Sequence, residues 1–405
     1  MPLPTFPDKP MRVLLISHTC QSRLGGQPKA AHLARIPGMQ LKVLVPDRWR
    51  EYGRWRGADP LLDAAYDYQV GRVALPWAGP AQWYLHFYPQ LADILRAFQP
   101  DIIDLWEEPW GLVSAQVCRL RNRLLPQAKI IAETEQNINK FLPPPFETFR
   151  AYTLRNADFV VGRSAAAVEI LRSKGYKGPS AVVPNAVDAD LFRPLDRAKC
   201  REALGLSGFV AGYVGRLVEE KGLMDMVDAL ECTPPDINLL FVGTGPYQPI
   251  LEQRIRERGQ TKRVRFLPNR PLEELPQVMN ALDALVLPSH TTARWKEQFG
   301  RVLIEAQACQ TPVIGSDSGA IPEVIGKAGM VIPEGSAAAL AQAMIGLRGE
   351  PARGDEMGRI GRRRVEDHYT WAQVAERMRR IYEPLLDEPP LSSPPISSRS
   401  RKAVS

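Results

Sequence analysis

Two carboxylates eight positions apart, Glu297 and Glu305, bracket Phe299-Gly300-Arg301-Val302-Leu303-Ile304. A helix starting at Gly300 would bury one side through Val302, Leu303, Ile304, Ala306 and Ala308. Its first turn would offer unpaired N–H groups and a partial positive charge of roughly half an elementary unit, a setting that attracts phosphate. At about 1.5 Å rise per residue the two glutamates span on the order of 12 Å, the reach of a nucleotide-diphosphate-sugar. One could accept hydrogen bonds from sugar hydroxyls and the other from a ribose diol. The alternative is a surface helix with two solvated glutamates.

A second group of chemistry-bearing residues lies earlier. Arg216 and Lys221 flank the loop Gly215-Arg-Leu-Val-Glu-Glu-Lys-Gly222, after an apolar run at 209–214. They could neutralise a diphosphate, Arg as a bidentate fork and Lys as a point charge, or they could be solvated loop residues. Asp188-Ala-Asp190 spells a metal-binding Asp-x-Asp, yet Asn185 and Asp188 better suit a turn. Gly243-Thr-Gly245 lacks the third glycine of a dinucleotide fingerprint. Five histidines without ligand spacing, and five cysteines without Cys-x-x-Cys, give no metal site.

Such residues need a scaffold that brings loops together. Short apolar runs at 11–18, 41–45, 102–105, 130–132, 159–161 and 181–183 alternate with helical stretches, the pattern of a doubly wound sheet. A second series occupies 209–214, 239–242, 264–267, 284–287 and 312–315. The break near Pro184 to Pro194 marks a hinge between two Rossmann-like α/β domains, with ligands expected where the carboxyl ends of their strands face one cleft. The expected boundaries are an extension over 1–10, an N-terminal domain over 11–190 and a C-terminal domain over 191–368. A helix over 369–388 follows, with the apolar stripe Trp371, Val374, Ala375, Met378, Tyr382 and Leu385. The Pro- and Ser-rich tail 389–405 is expected to be disordered.

Four segments carry a family resemblance. They are Val183-Pro-Asn-Ala-Val-Asp-Ala-Asp-Leu-Phe-Arg-Pro194, Tyr213-Val-Gly-Arg-Leu-Val-Glu-Glu-Lys-Gly222, Phe241-Val-Gly-Thr-Gly-Pro246, and the block from Glu297 to Glu323. In this order they resemble family 4 glycosyltransferases of the GT-B fold, densely over about residues 180 to 385 and thinly before. The resemblance implies retaining, metal-independent transfer of a hexose, with a nucleotide sugar as co-substrate and no cofactor. It implies phosphate binding by Arg216 and Lys221, catalytic participation of Glu297, and donor contacts from Phe299, Gly300, Leu303 and Glu305. It also has the last helix cross back to the first domain. Gly25-Gly26 would let backbone amides approach the diphosphate from the opposite wall, with Gly26 the donor-binding position. Where the family commonly has a histidine beside the reacting sugar, the matching stretch Asp104-Leu-Trp-Glu-Glu-Pro109 has Glu107; His18, which ends the first strand, is the other candidate. A nucleoside diphosphate leaves without acid assistance once its charge is balanced, so the glutamates suit sugar and ribose binding better than glycosidase-type acid and base work.

A net charge of +7 favours anionic partners. The aromatic-basic run Arg48-Trp-Arg-Glu-Tyr-Gly-Arg-Trp-Arg56, with Pro76-Trp77, Trp83-Tyr84 and Phe87-Tyr88, suits an acceptor platform, an anionic membrane interface or nucleic-acid stacking; nucleic acid is not the expected partner. The acceptor is expected to be a hydroxyl group, lipid-linked or on a saccharide. With no signal segment and no 18-residue apolar stretch, the expected location is the cytosol or the inner face of a membrane. Competing readings are a GT-B epimerase or phosphorylase, for which acid-base histidines or a cofactor lysine are not apparent, and a non-enzymatic binder of anionic surfaces.

Overall fold

The structure, a computed structural model, describes residues 10–51, 54–61, 63–74 and 82–387. The expected N-terminal extension but for Pro10, Pro76-Trp77 and the expected C-terminal tail lie outside them. Among the described residues the chain forms two parallel sheets. The first contains β1 (Met11–Ile16), β2 (Met39–Pro46), β5 (Asp67–Gly71), β6 (Ile102–Leu105), β7 (Lys129–Thr134), β8 (Phe159–Gly162) and β9 (Ser180–Val182), in the spatial order β5-β2-β1-β6-β7-β8-β9. β6 and β7 are buried at every position, as strands covered by helices on both faces should be. A separate antiparallel hairpin pairs β3 (Arg48–Glu51) with β4 (Arg54–Gly57).

The second sheet contains β10 (Phe209–Val214), β11 (Ile237–Val242), β12 (Val264–Leu267), β13 (Ala284–Leu287), β14 (Val313–Ser316) and β15 (Gly329–Ile332), in the order β12-β11-β10-β13-β14-β15. This is the GT-B architecture of two Rossmann-like domains. Each sheet reverses its winding once, between β1 and β6 and between β10 and β13. Such switch points open crevices at the carboxyl ends of the strands.

The cores divide at the hinge. Val183 and Ala186 pack in the first domain, while Val187 and Phe192 join the second. The helix Trp371–Asp387 returns to the first domain, burying Trp371, Val374, Met378, Tyr382 and Leu385 with strand residues such as Val13 and Leu15. A bridge between Val187 and Thr370 ties the two crossing segments together.

The returning helix also meets a buried charge cluster. The Tyr382 hydroxyl donates to Asp104 Oδ2 at 2.7 Å, and Lys29 Nζ donates to the same oxygen at 3.1 Å. Lys29 and Arg163 both pair with Glu133, and both cations lie over the Trp106 ring at 4.7 and 4.8 Å. Burial and the Glu133 charge raise the Asp104 carboxyl against the pull of Lys29 and Tyr382. Burial also pushes Glu133 up, but Arg163 and Lys29 outweigh it and hold that carboxyl low. Isolated charges at this depth would be untenable; pairing makes them tolerable.

Candidate active site

The second switch point assembles the residues of the Glu-x7-Glu block. β10 ends at Val214 and its loop carries Arg216 and Lys221, while β13 ends at Leu287 and its loop carries Ser289 and Glu297. Lys221 Nζ donates to Glu297 Oε2 at 2.6 Å, and Ser289 Oγ donates to the same oxygen at 2.9 Å. Lys221 also lies over the Trp295 ring at 4.7 Å. The Glu297 carbonyl accepts from Asn137 Nδ2 of the first domain at 2.7 Å, a bond that spans the two halves. Arg216 is exposed on the same loop, where its carbonyl accepts from the Tyr213 hydroxyl at 2.8 Å. The floor under this loop is Gly243-Thr-Gly245. A Cβ on Gly243 would lie 1.9 Å from the Gly215 carbonyl oxygen, so the pair of glycines allows two loops to touch.

Gly300, at φ +81°, is the N-cap of the helix Arg301–Ala308. This left-handed turn is one that glycine adopts without penalty, and it aims the helix start along the loop. Phe299 and Leu303 are expected to face the donor, but the structure places both side chains in the C-terminal core. Phe299 stacks edge-on against Tyr369 at 5.8 Å, and Leu303 is fully buried. Their side chains hold the helix in place, and only their backbone groups can face a ligand. Glu305 is buried one turn further on, and burial raises its carboxyl despite Arg301 nearby. It lines a cavity of about 30 Å³ with Arg301 and Leu272, closed by Leu24 and Pro28 of the first domain. That is room for about one water. A ribose would need more room than this beside Glu305.

Gly26 needs a correction. The amides of Gly25 and Gly26 donate to the carbonyls of Ser22 and Thr19 at 3.2 and 3.0 Å, so the loop's own turn consumes the groups expected to meet phosphate. Gly26 is small because the chain at Thr19 and Cys20 runs against it; a Cβ would lie 2.7 Å from the Cys20 nitrogen. The seven-residue helix Gln27–Leu33 that follows has Pro28 in its first turn.

The first switch point brings together the two alternatives for the family's histidine position. His18 follows β1 and Glu107 follows β6, and the strand order sets them side by side. Glu107 accepts from the His18 backbone at 2.6 Å and lies 2.8 Å from His18 Nδ1. Burial pushes Glu107 up, but the charge and hydrogen bonds of His18 prevail and hold it low. His86 stands 3.9 Å behind Glu107, and burial lowers its pKa. So two histidines surround Glu107 where the sequence offers no recognisable pattern. His86 is buried, leaving His18 as the imidazole that reaches the cleft.

His18 stacks on Trp49 at 4.7 Å, with Trp83 edge-on at 4.7 Å. The aromatic-basic run is thus a hairpin with two faces: Trp49 is buried against the site, while Trp55 is exposed beneath Arg48. A cleft of about 440 Å³ opens from His18 and Glu107 past Trp83, Trp106 and Trp110 to Gln298 and Arg301 of the second domain. Indole walls with convergent carboxylates suit a polyhydroxylated ligand. Glu108 faces the same cleft, accepting from the Thr134 hydroxyl at 2.6 Å and the Glu135 amide at 2.9 Å. Burial raises its carboxyl to about 7. Asp188 Oδ1 accepts from the amides of Asp190 and Leu191, so Asp188-Ala-Asp190 is a turn. Among the described residues no group of three or more His, Cys, Asp or Glu side chains is placed to hold a metal.

Sequence reasoning missed Asn137, Ser289, Trp295, Arg301 and the pairing of Lys29 and Arg163 with Glu133. Arg301 stood inside the recognised block and could have been found there; the others carry no local signal.

Two family profiles divide the chain much as the hinge does. Glycosyltransferase Family 4 matches residues 30–191, and Glycosyl transferases group 1 matches residues 197–364. The chain belongs to this glycosyltransferase family. It is 34% identical over 214 residues to the GDP-mannose-dependent alpha-(1-6)-phosphatidylinositol monomannoside mannosyltransferase of Mycolicibacterium smegmatis, covering 50% of this chain and 56% of the relative. A 2-deoxystreptamine glucosyltransferase of Streptomyces kanamyceticus is 33% identical over 198 residues, 46% of this chain and 50% of that one. The chain spans about half the length of the curated relatives it matches. Sucrose-phosphate synthase from Thermosynechococcus elongatus superimposes with a TM-score of 0.73 at 22% identity, over 93% of this chain and 99% of that one. The Anabaena protein HepE, solved with UDP and glucose, gives 0.69 at 20%, over 92% and 99%. These likenesses show the fold.

Proposed function

We propose that this protein moves a hexose from a nucleotide-diphosphate sugar to a hydroxyl acceptor, lipid-linked or on a saccharide, with retention at the anomeric carbon. The observation that carries the reading is the placement of chemistry at both switch points: Lys221 and Glu297 at one, His18 and Glu107 at the other, on two domains joined by the Asn137–Glu297 bond. The bond from the anomeric carbon to the phosphate oxygen breaks as the acceptor oxygen bonds the same face. The acceptor proton passes to the departing phosphate, which leaves as the nucleoside diphosphate. Arg216 and Lys221 balance the charge that builds on that phosphate, so no metal is required of the mechanism. Glu297 accepts from the sugar hydroxyls, Glu305 from the ribose, and Glu107 with His18 orients the acceptor or the sugar.

No helix among the described residues is long and apolar enough to cross a membrane. A lipid-linked acceptor would be met from the cytoplasmic face by peripheral contact. GDP-mannose is the first donor to test, because the mycobacterial relative is named for it. Glu305→Ala removes a charged acceptor worth about 1.5 to 3 kcal/mol, so donor affinity should fall roughly ten- to a hundredfold. A thermal-shift screen of GDP, UDP and ADP with their sugars reads this directly. Unchanged binding of the selected nucleotide by Glu305→Ala would refute the ribose assignment.

A further inference from the structure

A second cavity lies outside the cleft, between the helices Leu112–Leu124 and Phe146–Asn156. Its volume of about 590 Å³ is within the range of small-molecule sites. Phe87, Leu112, Ala115, Phe149 and Tyr152 form its walls, and the exposed side chains of Arg119 and Arg155 stand at its rim. The groove and the cleft are walled by the same two chain segments. Trp83 faces the cleft and Phe87 the groove, and likewise Trp110 and Leu112. Between them Tyr84 packs on Phe146 at 4.9 Å, and Phe146 packs on Phe149 at 6.3 Å. Phe141, in the segment leading into the helix Phe146–Asn156, is 78% exposed, a cost in water that an apolar partner would relieve. Lys174 and Lys177 line a neighbouring pocket that shares Arg155, so the surface beyond the rim is cationic as well.

We propose that this groove binds the hydrocarbon tail of a single-chain alkyl phosphate, with Arg119 and Arg155 holding its phosphate at the groove mouth. An apolar channel bordered by guanidinium groups matches a chain that ends in a phosphate. Binding of an alkyl phosphate here does not depend on the transferase reading.

The test uses the full chain and titrates n-dodecyl phosphate, n-hexyl phosphate and n-dodecyl maltoside below their micellar concentrations by calorimetry. Each buried methylene is worth about fourfold in affinity, so dodecyl phosphate should bind one to one and at least about a hundredfold tighter than hexyl phosphate. Ala115→Trp, which fills the groove, should bring dodecyl phosphate down to the hexyl level while GDP binding stays unchanged. Thr148→Trp, at an exposed rim position, gives the same readout if the first variant misfolds. Arg119→Ser with Arg155→Ser should abolish the preference for dodecyl phosphate over the neutral maltoside and keep the dependence on chain length. Binding that ignores chain length, or survives both tryptophan variants, would overturn the proposal. So would binding to phosphatidylcholine–phosphatidylglycerol vesicles that Ala115→Trp leaves intact without any dodecyl phosphate binding, since that would make the face a flat membrane or protein contact. Loss of nucleotide binding by Glu305→Ala or Lys221→Ala is read separately, so failure of the groove and failure of the transferase reading are distinguishable.

Discussion

Lys221 and Glu297 make a prediction that neither residue makes alone. The charge of Lys221 is balanced within the protein: its Nζ donates to Glu297 Oε2 at 2.6 Å, with the two side chains only 15% and 10% exposed. A diphosphate arriving at this loop must share or take over the lysine, and Glu297 is left facing an anion. Lys221→Ala therefore does two kinds of damage. It removes a charge-assisted bond to phosphate, about 1.5 to 3 kcal/mol, and it leaves Glu297 supported by Ser289 without its lysine partner. Two like charges at about 4 Å repel by roughly 4 kcal/mol at an effective dielectric near 20, and sharing with Arg216 and water reduces this to a fraction. We expect Lys221→Ala to weaken nucleoside diphosphate binding by about 3 kcal/mol or more, a hundredfold or beyond. Glu297→Gln should leave that affinity unchanged or tighter, because it frees the lysine, yet slow transfer by losing a sugar contact. The double variant should then bind the diphosphate at least about tenfold tighter than Lys221→Ala alone. Calorimetric titration of GDP or UDP against the four proteins measures the cycle. If the double variant binds no better than Lys221→Ala, Glu297 does not repel the diphosphate and the reasoning fails.

Two further outcomes concern groups behind the site. The Glu108 carboxyl is raised from 4.5 to about 7, so the stability it contributes is full below 4.5 and lost as pH rises through 7. Glu108→Gln should gain on the parent protein between pH 5 and pH 8 by on the order of 2 kcal/mol, allowing for partial exposure, and a pH-independent difference in urea unfolding would count against it. Tyr382→Phe removes a buried hydrogen bond to Asp104 and should destabilise the protein by about 1.5 to 3 kcal/mol, read by the same unfolding assay; no change would mean that the returning helix is held by its apolar face alone.

The strands most legible in the sequence are the central ones. The run 209–214 is β10 to the residue, as 102–105 is β6 and 284–287 is β13, because a strand covered on both faces is mostly apolar; Asp104 in β6 is the exception, and it is paired. What escaped lies at the edges. β5, Asp-Tyr-Gln-Val-Gly, and β15, Gly-Met-Val-Ile, each close one side of a sheet. β5 carries polar residues that merge with the surrounding loops, and β15 is only four residues long and begins with glycine. The β3–β4 hairpin is hidden for a different reason: its arginines dominate the composition, while Trp49 is the buried residue among its described side chains.

Side-chain roles inside the site follow the same logic at a finer scale. Lys29 looks like a solvated helix residue, since lysine is almost never fully buried without a partner. Its partners, Asp104 and Glu133, are 75 and 104 residues away, too far for any local pattern to reveal. Gly26 fails as a phosphate cradle because the turn at Thr19 takes its amide, and amide satisfaction depends on a turn the residue types do not dictate. The pairing of His18 with Glu107 shows what additional information would suffice. Both residues can be placed just past strand ends from local apolar runs, yet they lie 89 positions apart in the chain. Only the strand order makes them neighbours, because β6 lies against β1 on the side away from β2. Given that order, the side-by-side placement of the two residues becomes a consequence of topology, and the same holds for Lys221 and Glu297 past β10 and β13.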